Sequence, residues 1–279
     1  GRANYSYAGR YIAQAAVRRD GASVFGSNNK WATFPSASVA WRLSEEDFIK
    51  DLGIFTDLKL RAGWGQSGNS QGFDIYAAKF FYDITDRFKP SETDPSEVVP
   101  TYKGLTAARN VNDDLKWETT TMLNLGLDFA FLNGRINGTI EWYNKSTKDM
   151  IWEYRVSQAK YPVDKLIANV GKMRNRGIEL TINAVPIQTK DWEWNISGNF
   201  TWNASKITKL NTIDNESNYV KTGNAGGTGR YLQVHMVGET PNTYYLLKQA
   251  YDENGQPLDG KYIAKDGSIT SSEEDSNKY

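Results

Sequence analysis

The chain of 279 residues contains no cysteine and one histidine, His235. No disulfide framework or thiolate metal site is therefore possible, and a metal centre has only one imidazole to draw on. Net charge is lacking too, because 33 Lys+Arg offset 33 Asp+Glu. That balance removes the electrostatic footprint of a nucleic-acid-binding protein. No apolar run approaches the roughly 18 residues that mark a transmembrane helix. No signal peptide opens the chain: Gly1-Arg2-Ala3-Asn4-Tyr5 reads as mid-strand, and Ser272 to Tyr279 reads as a polar loop cut short. The chain is expected to be a fragment, so the missing leader leaves its location open.

Catalytic constellations are equally sparse. The acidic pairs Glu45-Glu46 and Asp113-Asp114 have the residue types of glycoside hydrolysis. Each pair lies beside a turn, however, and adjacent side chains point apart, so solvated turn charges are the better account. His235 has no Gly-x-Ser-x-Gly elbow to serve. The stretch Gly223 to Gly229 lacks the Lys-Ser/Thr end of a phosphate loop and reads as a flexible connection. Asp252-Glu253-Asn254-Gly255 is a turn whose spacing fails the calcium-loop pattern. No catalytic, cofactor-binding or metal-ligating residue is assigned, and the sequence designates no ligand-contacting residue. The expectation is a protein that is not an enzyme and carries no cofactor.

What the sequence has in quantity is aromatic rings, 13% of the chain with 9 Trp and 16 Tyr, at a mean hydropathy of −0.61. Large rings in so polar a chain suit a membrane barrel, whose strands alternate apolar and polar positions. That alternation recurs along the chain. Tyr11, Ala13, Ala15 and Val17 share one face; Ala37, Val39 and Trp41 share another, as do Leu58, Leu60, Ala62 and Trp64. Leu123, Leu125, Leu127 and Phe129 alternate with Asn124, Gly126 and Asp128. Ile136, Ile140 and Trp142 follow, then Ile178, Leu180, Ile182 and Ala184, then Trp194, Ile196, Phe200 and Trp202. Eight or nine strands are expected, with more in 231–265.

The connections sort by length. Short ones fall at Ala8-Gly9, 43–56, Asn133-Gly134 and Pro186 to Asp191; long ones fall near 19–31, 66–114, 147–171 and 204–230. Strict alternation of short and long is the pattern of an up-and-down outer-membrane barrel, with tight periplasmic turns and long extracellular loops. Trp41, Trp64, Trp117, Trp142, Trp192 and Trp202 stand near stripe ends, where rings suit a lipid–water interface better than sugar stacking. Phe73, Tyr76, Phe80, Phe81, Tyr82 and Phe88 lie in the 66–114 loop. They fit either a ligand or lid contact or a loop packed on its own rings, and both stand. Lys59, Arg61, Arg174, Arg176 and Glu179 are expected at the lumen or its rim, because a cation at the midplane of the lipid face costs about 2–4 kcal/mol.

Five motifs carry a resemblance. They are Arg18-Arg19-Asp20-Gly21 through Phe25-Gly26; Trp31-Ala32-Thr33-Phe34-Pro35-Ser36 through Trp41-Arg42 and Glu45-Glu46; Leu58 through Gly65 with Gly68-Asn69; Asp114-Leu115-Lys116-Trp117-Glu118-Thr119-Thr120; and Asn169-Val170-Gly171 with Met173 through Glu179. In this order they resemble the SusC/RagA-type TonB-dependent receptors. The similarity continues through Trp194 to Leu210 and thins over 211–279. The resemblance implies an all-β, antiparallel transmembrane barrel of 22 strands, of which 1–279 is a part, with the plug domain and the first and last strands absent. It implies TonB-dependent import of glycans, oligosaccharides or peptides across the outer membrane of Bacteroidetes. The implied partners are a SusD-like lipoprotein, TonB through the absent N-terminal region, the ligand and outer-membrane lipid. Two other readings share the strands or the rings: a passive porin, and a soluble β-sandwich that binds glycans.

Overall fold

In the computed structural model, the residues described are 1–72, 82–90, 98–107, 109–210, 219–224 and 231–272. The chain divides into two units, 1–204 and 205–279. The first is built from β1 (Arg2–Tyr7), β2 (Tyr11–Gly21), β3 (Trp31–Arg42), β4 (Phe55–Asn69), β5 (Tyr82–Pro90), β6 (Val98–Ala107), β7 (Glu118–Phe131), β8 (Ile136–Arg155), β9 (Lys165–Gln188) and β10 (Glu193–Leu210), the last reaching into the second unit. Eight of them form one sheet in the order β1-β2-β3-β4-β7-β8-β9-β10, and among the described residues β5 and β6 pair with each other as a separate two-stranded sheet. The pairs β1–β2, β2–β3, β3–β4, β4–β7, β7–β8 and β8–β9 are all antiparallel. The fold is all-β, and the sheet is open, with β1 and β10 at its edges.

Register turns the sequence stripes into one surface. Ala13 faces Val39, Val39 faces Ala62, Ala62 faces Leu125, Leu125 faces Trp142 and Trp142 faces Ile178. The next row is Tyr11, Trp41, Leu60, Leu127, Ile140 and Leu180. Because a strand's side chains alternate with period two, the opposite face carries the polar set. Among the described residues nothing covers the apolar face: Val39 is 57% exposed, Leu125 44% and Phe200 59%. A water-soluble sheet would bury such a surface. Within the described residues the sheet has no second layer packed on this face.

Strand ends separate into two kinds. At one end the connections are Ala8-Gly9-Arg10, residues 132–135 and 189–192, together with 43–54, which coils into a 3-10 turn (Leu43–Glu45) and the short helix α1 (Asp47–Lys50). Left-handed backbone is needed at these tight turns, at Ala8 (φ 52) with Gly9 (φ 67) and at Leu132, Asn133 and Gly134 (φ 51, 58 and 84). At the other end lie 22–30, the stretch from 70 to 117 with β5 and β6, and 156–164. Strand pairing runs further than the sequence suggests. Residues 147–155 and 165–171 were expected in a long loop, yet β8 and β9 stay paired from Lys148↔Lys172 to Arg155↔Lys165. A bulge around Met150, with Asp149 at φ 56, breaks the register between. That irregularity hides the period-two pattern, which is why the sequence reads there as loop. β10 likewise continues to Leu210.

The second unit holds β11 (Tyr219–Asn224), β12 (Tyr231–Met236) and β13 (Thr243–Tyr244) in one small sheet, and β14 (Gln249–Tyr251), β15 (Pro257–Ile263) and β16 (Ile269–Thr270) in another. Ile207 exchanges backbone hydrogen bonds with Gly238 and Glu239. The Asp252 to Gly255 turn forms as its residues dictate: the Asp252 carboxylate accepts from the Asn254 and Gln256 amides, and Gly255 takes φ 77.

Candidate functional site

The polar face of the eight-stranded sheet centres on four charges. Arg61 on β4 donates to Asp128 on β7 through Nε at 2.9 Å and Nη2 at 2.7 Å. The same Nη2 donates to Glu141 on β8 at 2.6 Å. Lys59 Nζ lies 2.8 Å from Asp128. Reaching β8 from β4 means crossing β7, and the residue crossed is Gly126, register partner of both Arg61 and Glu141. A Cβ at Gly126 would stand 2.9 Å from the Arg61 Nη2. Arg61 remains about a third exposed, so each pair is worth about 1 kcal/mol at most. Glu179 continues the row opposite Glu141. Beside the charges lies a shallow depression lined by Gln14, Ser36, Ser38, Gly63, Gly65 and Asn124. Small residues leave the backbone open there to an approaching group.

The long-loop end is a second structured region, and most of the sequence motifs meet in it. Phe25, Phe34, Leu115 and Trp117 form a buried cluster joined by Val24, Ile151 and Ile167. The Phe25 and Phe34 rings lie 5.1 and 5.6 Å from the Trp117 ring. Trp117 Nε1 donates to the Lys30 carbonyl at 3.3 Å. Gly26 is required because a Cβ would run into the Asp113 carbonyl. Three asparagines lace the segment before β7 onto β9. Asn110 donates to the carbonyls of Val163 and Lys165 and accepts from the Val163 amide. Asn112 donates to the Ile167 carbonyl at 2.9 Å. Asn169 donates to the carbonyls of Lys116 and Asp149 and accepts from the Lys116 amide, so it also satisfies the bulge. Each such side chain replaces a strand partner that irregular backbone lacks.

At the short-turn end Glu46 gathers three donors: Tyr11 Oη at 2.7 Å, Trp41 Nε1 at 2.9 Å and Arg10 Nη1 at 3.2 Å. Hydrogen bonds from Trp41 and Tyr11, with the Arg10 charge, hold its carboxyl below the usual glutamate range. Tyr7, Tyr11 and Trp41 stack outside it, with centroids 6.4 and 6.1 Å apart. Glu45 turns the other way, toward Lys50 at 3.1 Å, which lowers its pKa. The two carboxylates therefore do not converge. Asp113 and Asp114 lie in the turn before β7, where the Asp114 amide donates to Asn112 and the Asp113 carbonyl faces Gly26.

Five charged residues were expected together at the lumen or rim. Lys59, Arg61 and Glu179 lie on the polar face, but Arg174 and Arg176 do not. Pairing of Trp142 with Ile178, Asn144 with Arg176 and Ser146 with Arg174 puts both arginines on the apolar side, beyond the end of the band. The cost of charge on that face holds at the midplane and fades toward the interface, which is where they stand. His235 is buried in the second unit, where Nδ1 accepts from the Asn242 amide at 3.3 Å and burial lowers its pKa. Among the described residues no three His, Cys, Asp or Glu come together as metal ligands. Phe73, Tyr76, Phe80 and Phe81 and the stretch 225–230 lie outside the described residues; Tyr82 and Phe88 fall on β5. The Asn110, Asn112 and Asn169 clamps were missed by sequence reasoning. Their signal was present, in asparagines flanking irregular backbone.

Residues 1–272 match the family described as TonB dependent receptor-like, beta-barrel. The chain is 38% identical to the TonB-dependent receptor SusC of Bacteroides thetaiotaomicron over 272 residues, 97% of this chain and 27% of that protein. It is 31% identical to the TonB-dependent receptor P3 of Formosa agariphila over 88% of this chain and 23% of that protein. The chain thus spans about a quarter of the length of the curated relatives it matches. Among solved structures it resembles a chain of the RagAB peptide transporter with a TM-score of 0.81 at 25% identity, covering 100% of this chain and 29% of that one. The RagAB peptide importer in its open-open state gives the same score and identity.

Proposed function

The chain belongs to the TonB-dependent receptor-like β-barrel family, outer-membrane proteins of the SusC/RagA type, and from that premise we propose that its parent protein imports glycans, oligosaccharides or peptides. Import is driven through TonB, which acts on a region outside this chain, and a SusD-like lipoprotein captures the ligand at the outer surface. The observation that carries this reading is the two-sided sheet. Its uncovered apolar face suits lipid, and its polar face, with Lys59, Arg61, Asp128 and Glu141, suits a water-filled or plugged lumen. The short turns then lie in the periplasm, and the connections 22–30, 70–117 and 156–164 face outward.

In this role the chain supplies wall and rim and does no covalent chemistry. The charges of the polar face hold solute or plug by hydrogen bonds to groups already paired within the wall, so a moving partner exchanges contacts without leaving a charge bare. The knotted cluster around Trp117 keeps the outer rim rigid where a lipoprotein lid would seat. The test is growth on single glycans and on peptides as sole carbon source, with the gene intact, deleted or complemented, in cells with and without TonB. Loss of growth on one nutrient class in both the gene-deleted and TonB-deficient cells is the expected result. Unimpaired uptake without TonB would favour a passive porin.

A further inference from the structure

We propose that the outward face of β8 and β9, just beyond the apolar band on the long-loop side, is a binding site for phosphate-bearing headgroups of outer-leaflet lipid. Four cations share that face. Arg176 stands opposite Asn144, Arg174 opposite Ser146 and Lys172 opposite Lys148, in unbroken register with Trp142 and Ile178 of the band. All four cations are exposed. Parity fixes their direction: in an antiparallel pair every second residue points the same way, so a strand that turns Ile178, Leu180 and Ile182 to lipid turns Arg176, Arg174 and Lys172 outward as well.

Height fixes what they meet. At about 3.3 Å per residue and a tilt of about 40°, Arg176 and Arg174 stand roughly 5 and 10 Å beyond Ile178 along the membrane normal, and the Lys172–Lys148 row roughly 15 Å. A headgroup layer begins at the edge of the hydrocarbon and is about 5–8 Å deep, so the arginines bracket it and the lysines reach its outer side. No carboxylate of the described residues forms a salt bridge with any of the four. Asn144 Oδ1 accepts from Arg174 Nε at 2.8 Å, which steadies the guanidinium and leaves its two Nη groups to serve other acceptors. A planar fork held in this manner suits a phosphate. The other end of the outward face is chemically different: it finishes in the stacked rings of Tyr7, Tyr11 and Trp41. Rings suit a zwitterionic interface, and uncompensated cations suit an anionic one.

The proposal rests on the apolar face lying in lipid, and its test separates the two. Full-length protein is purified in detergent, checked for a heat-modifiable gel band, mixed with monophosphoryl lipid A or phosphatidylcholine and weighed by native mass spectrometry. The variant K172Q/R174Q/R176Q is expected to retain monophosphoryl lipid A at least ten-fold less well than wild type, with phosphatidylcholine unchanged. The control K50Q/K190Q, at the short-turn end, should match wild type. Equal retention by the triple variant overturns the proposal, as does release of the lipid by millimolar inorganic phosphate, which would mark a site for the free ion. Should the triple variant lack the heat-modifiable band, the wild-type protein decides: retention must fall steeply from low to high salt, and salt-independent retention overturns the site. A protein absent from the outer-membrane fraction would instead contradict the barrel reading itself.

Discussion

Arg61 reaches Glu141 by passing over Gly126, so one side chain ties three strands together at 2.6 Å. The obstacle a Cβ would meet there is a guanidinium, the movable tip of a long side chain. At Gly138 the obstacle is the Thr181 backbone carbonyl, together with the Phe129 ring. The two glycines therefore differ. Gly126→Ala should cost about 1 kcal/mol, the ion pair to Glu141. Gly138→Ala should cost more, about 2–3 kcal/mol, because a ladder carbonyl must shift. Urea unfolding of the two variants, followed by tryptophan fluorescence, checks the order. In an Arg61→Ala background the Gly126→Ala cost should vanish.

Trp117 is the hub of the rim. Truncation to Ala removes the ring that Phe25 and Phe34 pack on, and should destabilise this region by about 3–5 kcal/mol. The strand ladder below does not depend on that ring. Limited proteolysis should show new cleavage in 22–30, while the heat-modifiable band persists.

Asn110 supplies three hydrogen bonds to Val163 and Lys165. Asn110→Ala leaves those backbone groups unpaired, at about 1–3 kcal/mol. Hydrogen exchange at the Val163 amide should speed up by one to two orders of magnitude. Asn110→Asp keeps an acceptor for the Val163 amide but loses the Nδ2 donor to the Val163 and Lys165 carbonyls, so it should destabilise by a similar amount while the Val163 amide stays closer to wild-type protection.

Glu46 makes one end of the wall pH-sensitive. Its carboxyl is held below the ordinary glutamate value by donors from Trp41 and Tyr11 and by Arg10. A depressed folded-state pKa adds stability above the unfolded value, about 4.3, and that stability is lost as pH falls through the folded value. Glu46→Gln should therefore unfold more readily than wild type at neutral pH. The gap should close below about pH 4. Thermal scans of both proteins between pH 3 and 7 test the sign.

The apolar rows were legible in the sequence because strand periodicity is local: Leu123, Leu125 and Leu127 declare a face without reference to any partner. Turn chemistry at Asn133-Gly134 was legible for the same reason. The extension of β8 and β9 was not, since the bulge at Met150 resets the parity and the adjoining Asp149 carbonyl is satisfied by Asn169, 20 residues along the chain. Arg174 and Arg176 were misplaced because charge alone suggested the lumen, whereas parity counted from Ile178 points outward. Arg61 was identified as a polar-face residue, but its path over Gly126 depends on register across three strands, which no single stretch encodes.

As a section of membrane wall, this sheet has lipid on one side and water on the other. This chain has no native cysteine, so nitroxide labels can be placed one at a time at 123 to 128 along β7 in full-length protein from which any cysteine elsewhere has been removed, reconstituted in bilayers. Collision with oxygen should peak at the sites of Leu123, Leu125 and Leu127, and collision with a water-soluble nickel chelate at those of Asn124, Gly126 and Asp128. That opposed alternation is the result predicted. Equal access of both reagents at neighbouring sites, or chelate access at Leu125, would contradict the account.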